Sequence, residues 1–111
     1  MENLEQHTIS VSDLKQRLEA RAAGTDDFVL VDCREPDEFA ESRIDGSVLI
    51  PKGEFLSGAA FGELPAGKQV VIHCRSGKRS AEALEACLTR GLTDAVHVAG
   101  GILAWQEAYE N

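Results

Sequence analysis

No apolar run in this chain of 111 residues approaches the roughly 20 residues that a membrane-spanning helix needs, which excludes that class of protein. The polar start, Met1 to Thr8, lacks the charged-then-apolar pattern of a signal peptide, so the expected location is the cytoplasm. Cysteine is sparse: three residues, at 33, 74 and 87, with no C-x-x-C pairing. That spacing offers neither a disulfide framework nor a zinc site, and an odd number of thiols suits a reducing compartment. Cations are outnumbered, with 11 Lys and Arg against 19 Asp and Glu and a formal net charge of −8. Nucleic acid and anionic membrane are therefore poor general partners. No repeat or low-complexity stretch is present, and no metal or other cofactor is expected.

What is present is an ordinary globular composition, 43% hydrophobic, in a length that supports one core. Residues 1–8 read as a tail or linker remnant and residues 9–111 as a single domain. Ser10 with Asp13 offers a capping box for a helix running to about Ala22, and Gly24-Thr25-Asp26-Asp27 breaks it. Phe28 to Val31 form an apolar run without alternation, as in a parallel strand covered on both faces. Pro36 opens a short helix, with Glu35, Asp37 and Glu38 complementing its dipole. Further strands are expected at Ser47 to Ile50, Gln69 to Ile72 and Ala95 to Val98. Gly53 to Gly67 reads as a short helix plus an irregular turn. A helix follows Cys74 with Gly91 as its cap, and Ile102 to Tyr109 closes the chain. Strands alternating with helices imply a parallel sheet with helices on both faces, which binds ligands outside the carboxyl ends of its strands.

One such end carries the most informative run, His73-Cys74-Arg75-Ser76-Gly77-Lys78-Arg79-Ser80. Cys74 sits where an apolar strand turns into a helix, whose free N–H groups and dipole favour an anion. Helix starts and neighbouring cations lower a thiol pKa from about 8.5 to as little as roughly 3.5–7.5, and the thiolate is the nucleophile. Cys74 is thus expected to be reactive rather than a buried filler, and the same cations are expected to attract an anionic substrate. Cys33 and Cys87 read as core fillers. Asp32 and Arg34 share the sheet edge of Cys74 and either support its loop or cap the helix at Pro36. His73 precedes the nucleophile but faces away from it, so its expected role is structural. His97 and His7 belong to no evident constellation, and Trp105 reads as a core anchor.

Four motifs carry a resemblance to the rhodanese (sulfurtransferase) family over nearly the whole chain. They are Val31-Asp32-Cys33-Arg34-Glu35 through Glu38-Phe39, Ile44-Asp45-Gly46-Ser47 leading to Ile50-Pro51, Val71 through Ser80, and Gly100-Gly101-Ile102-Leu103-Ala104-Trp105. The resemblance implies a three-layer, doubly wound α/β fold with a mainly parallel five-stranded sheet. It implies that Cys74 takes the outer sulfur of thiosulfate or a similar donor as a persulfide and passes it to a thiol or other nucleophile. Arg75, Ser76, Gly77, Lys78 and Arg79 would form the substrate cradle, with backbone N–H groups aimed at the sulfur and cations holding the sulfonate. Related cell-cycle phosphatases place arginine six residues after the cysteine; here Arg79 follows by five, a tighter ring that suits sulfur over phosphate or arsenate. The chain departs from many relatives in having Ser42-Arg43 before Ile44 in place of Gly-His. Its wording is most similar to rhodanese domains fused after adenylyltransferases of molybdopterin and thiamine sulfur-carrier pathways. That points to an alternative, a relay domain taking persulfide from a protein donor for a sulfur-carrier protein or a fused adenylyltransferase. A third reading, a non-catalytic interaction module, is disfavoured by the presence of Cys74 in an intact loop.

Overall fold

A computed structural model describes residues 4–110. Five strands, β1 (Thr8–Ile9), β2 (Phe28–Asp32), β3 (Ser47–Leu49), β4 (Gln69–His73) and β5 (Val96–Val98), lie in the order β1-β5-β4-β2-β3. Every pair is parallel. The helices are α1 (Val11–Ala22), α2 (Pro36–Glu41), α3 (Lys52–Ser57), α4 (Lys78–Thr89) and α5 (Gly101–Tyr109), with short 3₁₀ turns at Leu4–His7 and Ala59–Gly62. None of the described helices is long and apolar enough to cross a membrane.

The apolar runs of β2 and β4 face helices on both sides, so alternate residues enter different cores. Leu30 and Val71 pack with Leu14 of α1 and Ile102 of α5. Val31, Cys33, Val70, Ile72 and Cys74 pack on the opposite face, with Phe55 of α3 and Ala83, Leu84 and Cys87 of α4. The result is the expected three-layer α/β architecture.

The beginning of the chain differs from the tail expected over residues 1–8. Residues 1–3 lie outside the described set, but Leu4 packs against the core of α3 and α4, and Thr8 pairs with His97 in the sheet. The His7 ring also lies 3.0 Å, by Nδ1, from the Ala95 carbonyl oxygen. A two-residue edge strand carries too little apolar pattern to be read locally, and it forms because β5 presents a ladder for it to join.

Strand order reverses beside β2 and β4, whose carboxyl ends therefore form the crevice in which such sheets place ligands. Their register pairs Asp32 with His73 and continues one step further, with the Cys33 N–H donating to the His73 carbonyl at 2.9 Å. Cys33 and Cys74 are the next residues on either side.

The start of α5 is pressed against the turn that follows β4. Ile102 N–H donates to the Cys74 carbonyl at 2.9 Å and Leu103 N–H to the Arg75 carbonyl at 3.1 Å. This approach requires Gly101: a Cβ there would collide with the Cys74 carbonyl oxygen and lie 2.6 Å from that of Arg75, and its φ of +56° is left-handed. Gly101→Ala is expected to destabilise the domain by about 2 kcal/mol or more, read as a lowered midpoint in urea unfolding. An unchanged midpoint would show that α5 does not need this contact.

Candidate active site

Cys74 leaves β4 and begins a four-residue turn into α4. The turn closes on Gly77, which precedes the helix with φ +115° and is free to do so because it lacks a Cβ. It aims backbone donors at the sulfur: Gly77 N–H lies 3.1 Å and Ser80 N–H 3.3 Å from Cys74 Sγ. The Ser80 hydroxyl stands 3.5 Å away. Cys74 retains only 1% of its surface, so these groups replace water around the sulfur.

Ser80 in turn meets His97 of β5, its Oγ 2.8 Å from Nδ1, and lies 3.2 Å from the Gly77 carbonyl. A serine has a single hydroxyl proton. In the tautomer protonated at Nδ1, His97 donates to Ser80 and leaves that proton for the sulfur or the Gly77 carbonyl. Burial lowers the pKa of His97, against the upward pull of the Cys74 charge.

On the sheet side of Cys74 lies the buried Cys33 thiol. The donors together bring the Cys74 pKa down to about 4: the Cys33 thiol contributes most, burial opposes, and the Ser80 hydroxyl, Ser80 N–H and Gly77 N–H add to the fall. The same contact pushes the Cys33 pKa far upward, with burial and the adjacent Cys74 charge acting in the same sense. At neutral pH one sulfur is therefore anionic and its neighbour a protonated donor. Cys87 lies further along α4, and burial alone raises its pKa to about 11.

The cations near the loop are divided. Arg79 makes a bidentate pair with Glu38 of α2, at 2.7 and 3.0 Å, which lowers the Glu38 pKa to about 2 and raises that of Arg79. Its guanidinium is thus directed at α2. Arg75 and Lys78 are exposed. Arg34 and Asp32 form a buried pair at 2.7 Å, and Arg34 also donates to the Ser42 carbonyl at 2.6 Å. They hold the turn from β2 around α2 and leave the start of α2 to Glu35 and Glu38, whose capping box has Glu35 N–H donating to Glu38 at 3.0 Å. Arg34 and Arg75 line a cavity of about 170 Å³ beside the loop, with Ser42 and Gln106. The buried His73 ring has no hydrogen-bond partner and lies 3.9 Å from Asp32, and burial lowers its pKa. It points away from Cys74, toward the other face of β4.

A family model described as the rhodanese-like domain matches residues 10–108. The chain belongs to the rhodanese-like domain family.

Among relatives of this rhodanese-like domain, a probable adenylyltransferase/sulfurtransferase, MoeZ, of Mycobacterium tuberculosis is 47% identical over 70% of the chain. The match spans only 20% of MoeZ's length. A sulfurtransferase of Allochromatium vinosum is 37% identical over 81% of the chain and 82% of its own length. The human single-domain sulfurtransferase TSTD1 superposes with a TM-score of 0.74 at 29% identity, covering 91% of this chain and 96% of that one. Sulfur transfer is the activity these relatives share.

Cys74 and Gly77 stand together as the sequence places them, but it gives no warning of Ser80 and His97 as a linked pair, nor of Cys33 against Cys74. The one available signal was that Cys33 ends its strand as Cys74 ends its own. Removing the Ser80 hydroxyl removes a donor to the thiolate while keeping the backbone N–H. Ser80→Ala is expected to raise the Cys74 pKa by about one unit, followed by thiolate absorbance against pH with Cys74→Ser as the blank. Between the two pKa values the variant would hold less thiolate than the parent; superimposable titrations would show that the hydroxyl is not a donor.

Proposed function

We propose that this domain is a sulfurtransferase that carries a sulfane sulfur as a persulfide on Cys74, taken from thiosulfate or a similar donor and given to a thiol. The observation that carries the reading is the Cys74 sulfur, held by Gly77 and Ser80 N–H at 3.1 and 3.3 Å with a pKa near 4. In the first half-reaction the thiolate attacks the outer sulfur of thiosulfate, the S–S bond breaks and sulfite departs with the electron pair. In the second, an acceptor thiolate attacks the outer sulfur of the persulfide and Cys74 leaves as thiolate. No proton has to reach Cys74 in either step, which fits a residue with 1% of its surface exposed.

The turn of residues 75–79 is assigned the cradle. Gly77 supplies the curl and an N–H, Ser76 its backbone, and exposed Arg75 and Lys78 the attraction for the sulfonate in a chain of net charge −8. Arg79, engaged by Glu38, contributes through the backbone of the first turn of α4 and by anchoring that turn.

A second reading is favoured by the relatives. The 47% identity to a probable adenylyltransferase/sulfurtransferase, and 30% to a putative sulfur carrier protein of Bacillus subtilis, suit a relay from a protein donor to a sulfur-carrier protein. The chemistry at Cys74 is the same; only the donor and acceptor differ.

Brief treatment with thiosulfate, removal of the donor and intact-mass measurement test the reading. The expected result is a gain of about 32 Da, one sulfur atom, that is absent in Cys74→Ser and discharged by cyanide as thiocyanate. An adduct formed only with a persulfidated cysteine desulfurase would select the relay. No adduct with either donor would overturn sulfur transfer through Cys74.

A further inference from the structure

Two nucleophilic sulfurs share one face of the sheet at the ends of neighbouring parallel strands, and sulfur transfer uses only one of them. The β2–β4 ladder pairs Asp32 with His73 and runs on through the Cys33 N–H to the His73 carbonyl, so Cys33 and Cys74 lie side by side one step later. Alternation separates Leu30 and Val71 from Val31, Ile72 and both cysteines, and the two thiols enter one apolar cluster. Parallel strands stand about 4.8 Å apart, inside the range of Cα separations that a disulfide spans. Cys33 has no surface exposed and Cys74 has 1%, so no external thiol competes easily for the space between them.

We infer that Cys33 is the resolving thiol of Cys74: whenever the Cys74 sulfur carries a leaving group, Cys33 attacks it and closes a Cys33–Cys74 disulfide. The loop donors Gly77 and Ser80 N–H lie on the α4 side of Cys74 and Cys33 on the β2 side, which leaves an approach opposite the cradle. Two sources of leaving group share this chemistry. From the persulfide, which rests on the sulfurtransferase reading, Cys33–SH and Cys74–S–S⁻ give Cys33–S–S–Cys74 and HS⁻. The Cys33 proton leaves on the hydrosulfide, and the sulfane sulfur is reduced to sulfide as the two thiols are oxidised. From a peroxide, which does not rest on that reading, Cys74–S⁻ and H₂O₂ give Cys74–SOH and hydroxide. Cys33–SH and Cys74–SOH then give the disulfide and water. In both routes the Cys74 charge that keeps Cys33 protonated has moved or gone before Cys33 reacts. The result is a further activity, release of sulfide when no acceptor arrives, and a reversible form of Cys74 in place of irreversible oxidation.

The test has two arms, each on the parent, Cys33→Val, Cys33→Ala and Cys87→Ala, with the product confirmed as monomer on a non-reducing gel. With hydrogen peroxide, the parent and Cys87→Ala are expected to lose about 2 Da, to resist alkylation at residues 33 and 74 after unfolding, and to recover with dithiothreitol. The Cys33 variants are expected instead to gain about 32 to 48 Da at Cys74 irreversibly, as sulfinic and sulfonic acids. With thiosulfate under anaerobic conditions, the persulfide that the parent holds just after donor removal is expected to decay on prolonged incubation without an acceptor, releasing one sulfide per chain and forming the same disulfide. The Cys33 variants are expected to keep their persulfide.

Parent and Cys33 variants oxidised alike by peroxide, with Cys33 still alkylated, would overturn the inference whatever thiosulfate does. A disulfide in the peroxide arm with no persulfide from thiosulfate in any variant would sustain the Cys33–Cys74 pair and remove thiosulfate as the donor. A persulfide equally stable in parent and Cys33→Val would overturn the sulfide-releasing route.

Discussion

A sulfur anion with almost no exposure to water has to be solvated by the protein itself, and the loop after β4 is built around that requirement. Two of the donors to Cys74 depend on a fixed backbone: Gly77 N–H and Ser80 N–H reach it only because the turn is closed tightly at Gly77. Closing the turn leaves carbonyls without partners, and buried carbonyls must be paired. The Cys74 and Arg75 carbonyls are answered by Ile102 and Leu103 N–H, the free donors at the start of α5. Two helix starts therefore serve two sides of one loop, α4 toward the sulfur and α5 toward the carbonyls. Gly101 is the point where the second helix comes close enough to do so.

The surrounding charges are arranged so that Cys74 is the group that sets the charge of the site. Arg34 is neutralised by Asp32 and Arg79 by Glu38, while burial holds His73 and His97 toward their neutral forms. Removing one partner of the buried Asp32–Arg34 pair would leave the other charge buried and unpaired, which is costlier than the pair is stabilising. The pairs also act mechanically. Glu38 joins α2 to the first turn of α4, and Arg34 joins the end of β2 to the end of α2, so the strand ends that carry both cysteines are held from two directions.

Much of this was legible locally. The Ser10 and Asp13 capping box, the apolar runs of β2 and β4 and the helical spacing after Cys74 are short-range patterns, and each became the element it implied. Cys74 at a helix start is a feature of adjacent residues and was readable for the same reason. What was not legible depends on pairs far apart in sequence. Thr8 and Ile9 become a strand only because β5 lies beside them, and Leu4, half-buried, reaches the core just before that strand. Arg79 has the sequence of a cradle cation but spends its guanidinium on a carboxylate 41 residues away. His97 meets Ser80 because α4 crosses the end of β5, and Cys33 meets Cys74 because β2 and β4 are neighbours, although β3 intervenes in the chain.

The depth of the Cys74 pKa also says which step the loop serves. Relative to a thiol near 8.5, a pKa of about 4 raises the thiolate fraction at pH 7 from a few per cent to nearly all, a gain of roughly 30-fold. Nucleophilicity falls with pKa at a Brønsted slope of about 0.4–0.5, so a drop of about 4.5 units loses roughly 100-fold in intrinsic reactivity. The two nearly cancel, and attack on a donor gains little from acidity alone; it must draw on the placement of donor and sulfur by the loop. Departure is different, because a lower leaving-group pKa makes Cys74 easier to expel from a mixed sulfur bond. Under the proposed persulfide mechanism, the donors that hold the anion therefore favour giving sulfur away over taking it.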